Sequence, residues 1–415
     1  MLISRQSELD AFVQQLQVAT TAQAPLAFDT EFLSEKRYFA RLCLVQVLAA
    51  TQNEVIEAAI DPFGLDLSGL FALIADPKIV KIVHSGSSDL QILWQSFGIE
   101  AKNVFDTQIA AAFLGYGHQI GYADLVRKIT ATNLSKTMQY TDWSARPLSD
   151  EQIEYALADV RYLPPIYAQL KSELERRNRL NWAITEFERG EQKAVRVQDD
   201  SLSYKRLNPS GLSRKQLAVL REIARAREEM ARASDKPPSF IVPDLAILQM
   251  ARQQPKNLAD LRAIRGMPGI PDPNAKRLLD AVKIALESDP QFWPEARSGE
   301  RPDPRLESIV ALLGVVATAR ATAQDVSRNY LAPRDALFDL ANEWLKNHEN
   351  GANSDSTKPD FTNSDSTKNE GTPEELTILQ DWRGEILGRD LVKLLDGDAV
   401  IALDKETGLP ELRAS

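Results

Sequence analysis

Two acidic side chains stand two residues apart in the otherwise apolar segment 26–32, which reads LAFDTEF. Side chains of a β-strand alternate between its two faces, so a strand here projects Asp29 and Glu31 from the same face. Two neighbouring like charges beside a core are costly unless a cation lies between them. Because Mg²⁺ and Mn²⁺ favour carboxylate oxygens as ligands, the pair predicts a divalent metal site.

Three further side chains could complete this site. Asp89 follows the apolar run 79–84 and a Gly-Ser turn, in the first turn of a predicted helix, a position that favours negative charge by itself. Tyr155 and Asp159 are four residues apart on a later predicted helix and therefore share a face. Four carboxylates could bind two Mg²⁺ or Mn²⁺ ions about 3.5–4 Å apart, the arrangement used for in-line phosphoryl displacement. Tyr155, with an ordinary pKa of about 10, is expected to orient the attacking water by hydrogen bonding.

The elements that must position these residues form an α/β region over 25–170. Apolar runs predict strands at 26–32, 41–48, 55–60 and 79–84, and helical periodicity predicts helices at 67–75, 88–97, 106–114, 122–128 and 149–161. This order predicts a mixed sheet with helices packed on it. A charged helix is predicted over 170–193, and a polar connector over 199–209.

The remainder of the chain changes character to helical blocks. Residues 211–291 and 305–415 have helical periodicity, and the second block is interrupted by 347–373, where NSDSTK occurs twice. That polar composition cannot bury a core, so the interruption is predicted to be a disordered insertion. We therefore expect an α/β domain over 1–200 followed by two helical domains.

Composition limits the setting of this protein. The single cysteine, Cys43, cannot form an internal disulfide, which favours a reducing, cytoplasmic location without a disulfide-linked partner. We expect neither a signal peptide nor contact with a membrane, because no basic start precedes an apolar run and no uncharged apolar run reaches 18 residues. The net charge of −10 does not exclude nucleic acid, since the position of cations matters more than their sum.

Four segments carry a resemblance to a known family. They are FDTEF at 28–32, HSGSSDLQIL at 84–93, TDWSARPLS at 141–149 and EYALADVRYL at 154–163. Together they resemble the ribonuclease D family, whose 3′-to-5′ exonuclease site has four carboxylates and a tyrosine (DEDDy). The resemblance implies an α/β ribonuclease H-like (DnaQ-like exonuclease) domain with a mixed sheet, followed by all-α HRDC-type helical domains.

The same resemblance implies a role for each site residue. Asp29 is expected to be shared by both metal ions, and Glu31 and Asp159 to complete the site that holds the attacking water. Asp89 is expected to support the second ion through its water shell. Tyr155 occupies the position of the water-orienting tyrosine.

Four other residues are candidates for binding the substrate. Phe32 would stack on the terminal base if the strand bends after Glu31, and would otherwise belong to the core. Lys136, Trp143 and Arg146 precede the Tyr155 helix and combine two cations with a flat ring, which suits phosphate contact and base stacking. A packing role for Trp143 fits the sequence equally well.

The expected function is two-metal-ion hydrolysis of RNA 3′ ends, with release of 5′-mononucleotides. The resemblance implies precursor tRNA as the substrate. Two alternatives stay open: a DNA-directed proofreading or repair exonuclease, and a catalytically silent RNA-binding factor. The carboxylates do not distinguish the sugar, although their complete set argues against a silent protein.

Overall fold

A computed structural model describes residues 1–21, 23–134, 138, 141–196, 199–295, 303–351 and 376–415. The amino-terminal domain is built on a six-stranded mixed sheet. Its strands are β1 (Leu2–Ile3), β2 (Leu26–Leu33), β3 (Arg41–Ala50), β4 (Val55–Ile60), β5 (Lys81–Val83) and β6 (Val104–Asp106). In space they are ordered β1-β4-β3-β2-β5-β6; the pairs β2–β3 and β3–β4 are antiparallel, and the remaining pairs are parallel.

Helices cover both faces of this sheet. They are α1 (Gln6–Thr21), α2 (Ser68–Ala75), α3 (Ser87–Phe97), α4 (Thr107–Ala112), α5 (Tyr122–Thr130), α6 (Asp150–Arg161), α7 (Leu163–Arg176) and α8 (Leu180–Val195). On one face α1, α2 and α3 pack against the apolar side chains of β2 and β3, among them Phe28 and Val47. On the other face α6 packs against β2, β3 and β4. Apolar residues on alternating strand positions, such as Phe28 and Ala27, therefore belong to different cores.

The central module is helical and packs around one long helix. Its elements are α9 (Arg214–Ser234), α10 (Pro238–Ile241), α11 (Asp244–Gln253), α12 (Leu258–Arg262) and α13 (Asp272–Glu287). A capping box starts α9, because Ser213 and Gln216 satisfy each other's backbone N–H groups. The module contacts the β2–β3 loop, where the Asp235 carboxylate accepts hydrogen bonds from the backbone N–H groups of Tyr38 and Phe39 at 3.2 and 3.0 Å.

The carboxyl-terminal module shares a hydrophobic core with the amino-terminal domain. Its elements are α14 (Pro304–Gln324), α15 (Arg328–Leu331), α16 (Arg334–Gly351), α17 (Asp381–Arg383), a π-helical turn (Gly384–Gly388), α18 (Arg389–Leu395), β7 (Ala399–Leu403) and β8 (Pro410–Ala414). Trp382 stacks on Trp182 with ring centroids 5.4 Å apart and meets Phe113 edge-on at 5.1 Å. A buried ion pair joins Arg383 to Glu186 at 2.9 Å. The two segments thus fold as one packed unit although more than a hundred residues separate them in the chain.

One described helix, α14, is long and apolar enough by composition to cross a membrane. Leu313 and Ala317 of this helix lie in the core shared with the amino-terminal domain. The core helix of a folded domain meets the same criterion.

Several expectations from the sequence were wrong in detail. The single helix predicted over 170–193 is two helices, because the chain turns at 177–179, where Asn178 has a φ of 54°. The predicted connector at 199–209 contains a 3₁₀ helix, Asp200–Leu207, that buries Tyr204. An all-helical end is contradicted by the antiparallel pair β7–β8. Strands β1 and β6 were not predicted, because two or three residues carry too little periodicity.

The first residues of the insertion predicted at 347–373 are helical. Helix α16 continues to Gly351. The rest of that prediction, 352–373, lies outside the described residues.

Candidate active site

Strand β2 carries the first two carboxylates just past the end of its short pairing with β5. It pairs with β5 only through Leu26 and Ala27, and runs on to Leu33 against β3. Asp29 and Glu31 project on the α6 side of the sheet, where Asp159 is located. Oxygens of these three carboxylates lie within 4.8 Å of one another. The fold thus brings together three of the four predicted metal ligands.

The raised pKa values of these three carboxylates indicate that a cation would stabilise their ionised forms. Burial, followed by the charges of Asp89, Asp159 and Glu31, raises the pKa of Asp29 well above its ordinary range. Burial and the charges of Asp159 and Asp89 raise the pKa of Glu31 to about 8. Burial raises the pKa of Asp159 to about 7. A divalent ion would lower these pKa values and satisfy the hard oxygen donors, so the residues fit a Mg²⁺ or Mn²⁺ site.

The fourth carboxylate reaches the site from the other side of β2. Thr30 points away from Asp29 and Glu31, and its hydroxyl donates a hydrogen bond to the Asp89 carboxylate near the start of α3. Burial raises the pKa of Asp89 to about 6, and the Thr30 hydrogen bond opposes that rise. Asp89 is not one of the three clustered carboxylates, yet its charge acts on Asp29 and Glu31. This arrangement fits a supporting position of Asp89 at the edge of the metal site better than a central one.

A tight turn between β5 and α3 sets the position of Asp89. The Asp106 carboxylate accepts hydrogen bonds from the backbone N–H groups of Ser85 and Gly86, both at 3.0 Å, and it also caps α4. A Cβ atom on Gly86 would lie 2.5 Å from the Val83 side chain, so only glycine fits there. Asp106 therefore serves both as a helix cap and as the anchor of the turn that carries Asp89.

His84, at the start of the same turn, has a structural environment. Its Nε2 lies 3.1 Å from the Ile120 carbonyl oxygen, which requires an N–H donor on that nitrogen, and its Nδ1 lies 2.9 Å from the Thr107 hydroxyl. Burial lowers the pKa of His84. This histidine supports the fold of the turn, with both ring nitrogens already in protein contacts.

Tyr155 lies beside the carboxylates on α6, one turn before Asp159. Burial, followed by the charges of Asp159, Glu31 and Asp29, raises the pKa of Tyr155 above its ordinary value. Its phenol therefore stays protonated at neutral pH and can act as a hydrogen-bond donor. A second tyrosine, Tyr122, donates a hydrogen bond to the Ala158 carbonyl oxygen at 3.0 Å and so holds α6 next to Asp159. No sequence pattern had pointed to Tyr122.

Gln46 is a further polar residue at the site that the sequence did not reveal. It lies opposite Asp29 in the β2–β3 ladder, on the same face of the sheet. Its side chain is fully buried, and neither amide atom has a hydrogen-bond partner among the described residues. Buried amides are normally paired, so this one is available to a group bound beside Asp29. The only signal in the sequence is a glutamine inside the apolar run 42–49.

The residues predicted to bind the substrate have different environments. Phe32 is half-buried and lies at a shift in the β2–β3 register between Glu31 and Phe32, which is the bend that the stacking prediction requires. Trp143 is only 4% exposed and packs near Tyr155, with ring centroids 6.2 Å apart, so the structure gives it a packing role. Lys136 lies outside the described residues.

Arg146 is held by the protein itself. Its Nε and Nη2 donate to the two oxygens of Asp61 at 2.6 and 2.9 Å, and Nη2 also donates to the Cys43 carbonyl at 2.7 Å. Nη1 donates to the carbonyls of Trp143 and Ala145, each at 2.8 Å. All five N–H donors are thus used. The predicted phosphate contact by Arg146 would require breaking these bonds, so the structure argues against it.

Comparison with known proteins relates this chain to described families. The family model described as 3′-5′ exonuclease matches residues 1–175, and the HRDC domain model matches residues 216–271. A ribonuclease D of Jannaschia sp. strain CCS1 is 33% identical over 92% of this chain and 92% of its own length. The chain belongs to the ribonuclease D family. A ribonuclease D of Gluconacetobacter diazotrophicus is 32% identical over 97% of this chain and 95% of its own.

A solved member of the ribonuclease D family has the same fold. The crystal structure of Escherichia coli RNase D superposes with a TM-score of 0.78 at 29% identity, covering 96% of this chain and 98% of that one. Family membership confirms the predicted exonuclease and HRDC-type architecture. It also confirms that this chain is a 3′-5′ exoribonuclease. The acidic cluster and the exonuclease family together support divalent metal binding.

Proposed function

We propose that this exoribonuclease uses two divalent ions, Mg²⁺ or Mn²⁺, held by Asp29, Glu31 and Asp159 with Asp89 in support. The observation that carries the proposal is the approach of three carboxylates within 4.8 Å, with the pKa of each raised. The pKa of Asp29 responds to the charges of all three other carboxylates, which fits a ligand shared between two ions. Bound ions would supply an activated water and stabilise the leaving 3′ oxygen.

The protein's own groups hold the reacting parts in place. Protonated Tyr155 would donate a hydrogen bond to orient the attacking water on the Glu31–Asp159 side. Thr30 keeps Asp89 directed at the site through its hydroxyl, and Phe32 would stack on the terminal base next to Glu31. A mispositioned nucleophile costs orders of magnitude in rate, which is why contacts around the carboxylates matter as much as the carboxylates themselves.

The proposed substrates are 3′ ends of structured RNA, with precursor tRNA as the specific case and 5′-mononucleotides as products. The E. coli relative is described as an exoribonuclease involved in structured RNA processing, which supports this class. We further propose a cytoplasmic location, in keeping with the buried free thiol of Cys43.

One set of reactions tests these proposals. Purified protein is incubated with 3′-extended tRNA and Mg²⁺ or Mn²⁺, beside Asp29→Asn, an EDTA control and the exposed-site control Asp10→Asn on α1. We expect stepwise shortening, with a loss of at least about 100-fold for Asp29→Asn. Titration calorimetry with Mn²⁺ should show weaker binding to Asp29→Asn only.

Two results would contradict the proposals separately. Unchanged Mn²⁺ binding and unchanged activity in Asp29→Asn would overturn the metal assignment. Rapid degradation of unstructured RNA without any shortening of 3′-extended tRNA would overturn the choice of substrate and leave the metal site intact.

A further inference from the structure

A cleft lies between the exonuclease domain and the central helical module, next to the end of β2. We call it the junction cleft. It has a volume of about 780 Å³, within the range of roughly 300–1,000 Å³ for ligand pockets. Its walls include Arg37, Arg41, Phe63, Phe97 and, from the central module, Asp235.

The junction cleft adjoins the pair of strands that carries Asp29 and Glu31. Arg41 pairs with Leu33 across the β2–β3 ladder, and Leu33 is two residues beyond Glu31. At a rise of about 3.3 Å per residue, the rim of the cleft begins about 7 Å along the strand from Glu31. Phe63 belongs to the same apolar cluster as Tyr155. A polymer whose end lies at the carboxylates would therefore be near this cleft on one side.

Of the two arginines in the walls of the junction cleft, Arg37 pairs with Asp235, and Arg41 has no acidic partner among the described residues. Its guanidinium lies 4.4 Å from the centre of the Phe63 ring, as does that of Arg146. Arg146 uses every donor in protein contacts, whereas the guanidinium of Arg41 makes no hydrogen bond or ion pair with any residue that the structure describes. The aromatic contact thus fixes a guanidinium whose N–H groups stay open to an anion.

Two acidic groups, Asp235 and Asp66, also lie in the walls of the junction cleft. The Asp235 carboxylate pairs with Arg37 at 2.5 Å and accepts two backbone N–H groups. Asp66 accepts the backbone N–H of Ser68 at 2.9 Å at the start of α2. Two charges in the walls therefore have no ion-pair partner among the described residues, the Asp66 carboxylate and the Arg41 guanidinium, and of these only Arg41 can bind a phosphate.

An exposed ring completes the chemistry. Phe97, at the end of α3, is 42% exposed and rests on Phe71, with ring centroids 4.9 Å apart. The neighbouring Ser96 hydroxyl donates to the Ala40 carbonyl oxygen at 3.3 Å, which ties this end of α3 to the residue before Arg41. A cation and an exposed ring in one cleft suit a backbone phosphate and a stacked base.

We propose that the junction cleft binds the RNA strand on the 5′ side of the nucleotide being removed. Arg41 contacts a backbone phosphate, and Phe97 stacks on a base. This role depends on the catalytic site proposed above, because it assumes that the 3′ end lies at the carboxylates. A partner protein could also use a cleft of this kind, and the following test distinguishes the two.

The test measures kcat/KM on single-stranded RNAs from two to twelve nucleotides for the wild type, Arg41→Ala, Arg41→Lys and Phe97→Leu. Arg176→Ala on α7, an exposed position outside the cleft, is the matched control. On the longest RNA we expect roughly a tenfold loss for Arg41→Ala, the size of one charge-assisted hydrogen bond. The loss should shrink as the RNA is shortened, and Arg176→Ala should show neither effect.

Binding of the twelve-nucleotide RNA in EDTA gives a second readout. The slope of log Kd against log salt should fall by about 0.7 for Arg41→Ala and should be retained in Arg41→Lys. Equal losses at every RNA length, or an unchanged salt slope in Arg41→Ala, would overturn the proposal, and unchanged RNA kinetics would favour a protein ligand. Turnover of the two-nucleotide RNA by the wild type shows separately whether the catalytic proposal holds.

Discussion

Gln46 lies directly opposite Asp29 in the β2–β3 ladder, fully buried and with both amide atoms unpaired among the described residues. An unpaired buried amide destabilises the folded state by about 1–3 kcal/mol. Because Gln46 lies beside a predicted metal ligand, its amide can hydrogen-bond to a water or ligand oxygen once cations are bound. Groups that orient metal ligands typically contribute about 10–100-fold in metal affinity.

Gln46→Leu should therefore have opposite effects on two measurements. Thermal unfolding in EDTA should show a raised Tm, because leucine removes the unpaired amide, while Mn²⁺ affinity by calorimetry should fall about 10–100-fold. Gln15→Leu on the exposed side of α1 serves as control. A lower Tm together with unchanged Mn²⁺ affinity would mean that Gln46 is only a packing residue.

Glu31 should make the metal-free protein less stable as the pH rises. Its folded pKa of about 8 lies above the ordinary value near 4.5, so the folded state binds more protons than the unfolded state between these pH values. Stability is then lost progressively from about pH 4.5 to pH 8. Glu31→Gln should flatten this dependence and raise the free energy of unfolding at pH 8 by roughly 1–2 kcal/mol.

Urea unfolding in EDTA across this pH range measures the difference. Adding Mg²⁺ should restore the stability of the wild type at pH 8 and have less effect on Glu31→Gln, because bound metal favours the ionised carboxylate. Parallel pH profiles for the two proteins without metal would contradict the assigned direction of the pKa shift.

Thr30→Val should alter the pH dependence of catalysis, because valine keeps the shape of the threonine side chain but lacks its hydroxyl. The hydroxyl that donates to Asp89 favours its ionised form, so its loss should raise the pKa of Asp89. The acid side of the rate profile should move up by roughly one pH unit, the equivalent of one hydrogen bond to a charged group. Thr318→Val at an exposed position of α14, which also removes one hydroxyl hydrogen bond, should leave the profile unmoved.

Trp382→Ala should destabilise the exonuclease domain although it lies in the carboxyl-terminal module. The ring packs on Trp182 and Phe113 in a shared core, and removal of a buried tryptophan side chain costs about 3–5 kcal/mol. Limited proteolysis should then cut within α7 and α8 at lower urea concentrations than in the wild type. Increased cleavage confined to the carboxyl-terminal module would show that the two segments unfold independently.

The local parts of the site were predictable because they depend on short-range periodicity. Alternation along β2 placed Asp29 and Glu31 on one face, and the four-residue spacing placed Tyr155 on the same side of α6 as Asp159. The roles of Trp143 and Arg146 were not predictable in this way. Trp143 is buried. Arg146 uses its N–H donors in contacts with distant parts of the chain, among them Asp61 and Cys43, and Cys43 lies 103 residues earlier.

Residue type and spacing along single elements predicted the mixed sheet and three carboxylates that the fold brings together, and the resemblance to a family predicted the exonuclease and HRDC-type architecture. The tertiary structure decided which polar groups surround the carboxylates: Thr30 on Asp89, Gln46 opposite Asp29, and Tyr122 on the Ala158 carbonyl. It also decided that the carboxyl-terminal module shares the core of the first domain and that Arg41 faces an open cleft. These features come from contacts between residues far apart in the chain, and such contacts leave no periodic pattern in the sequence.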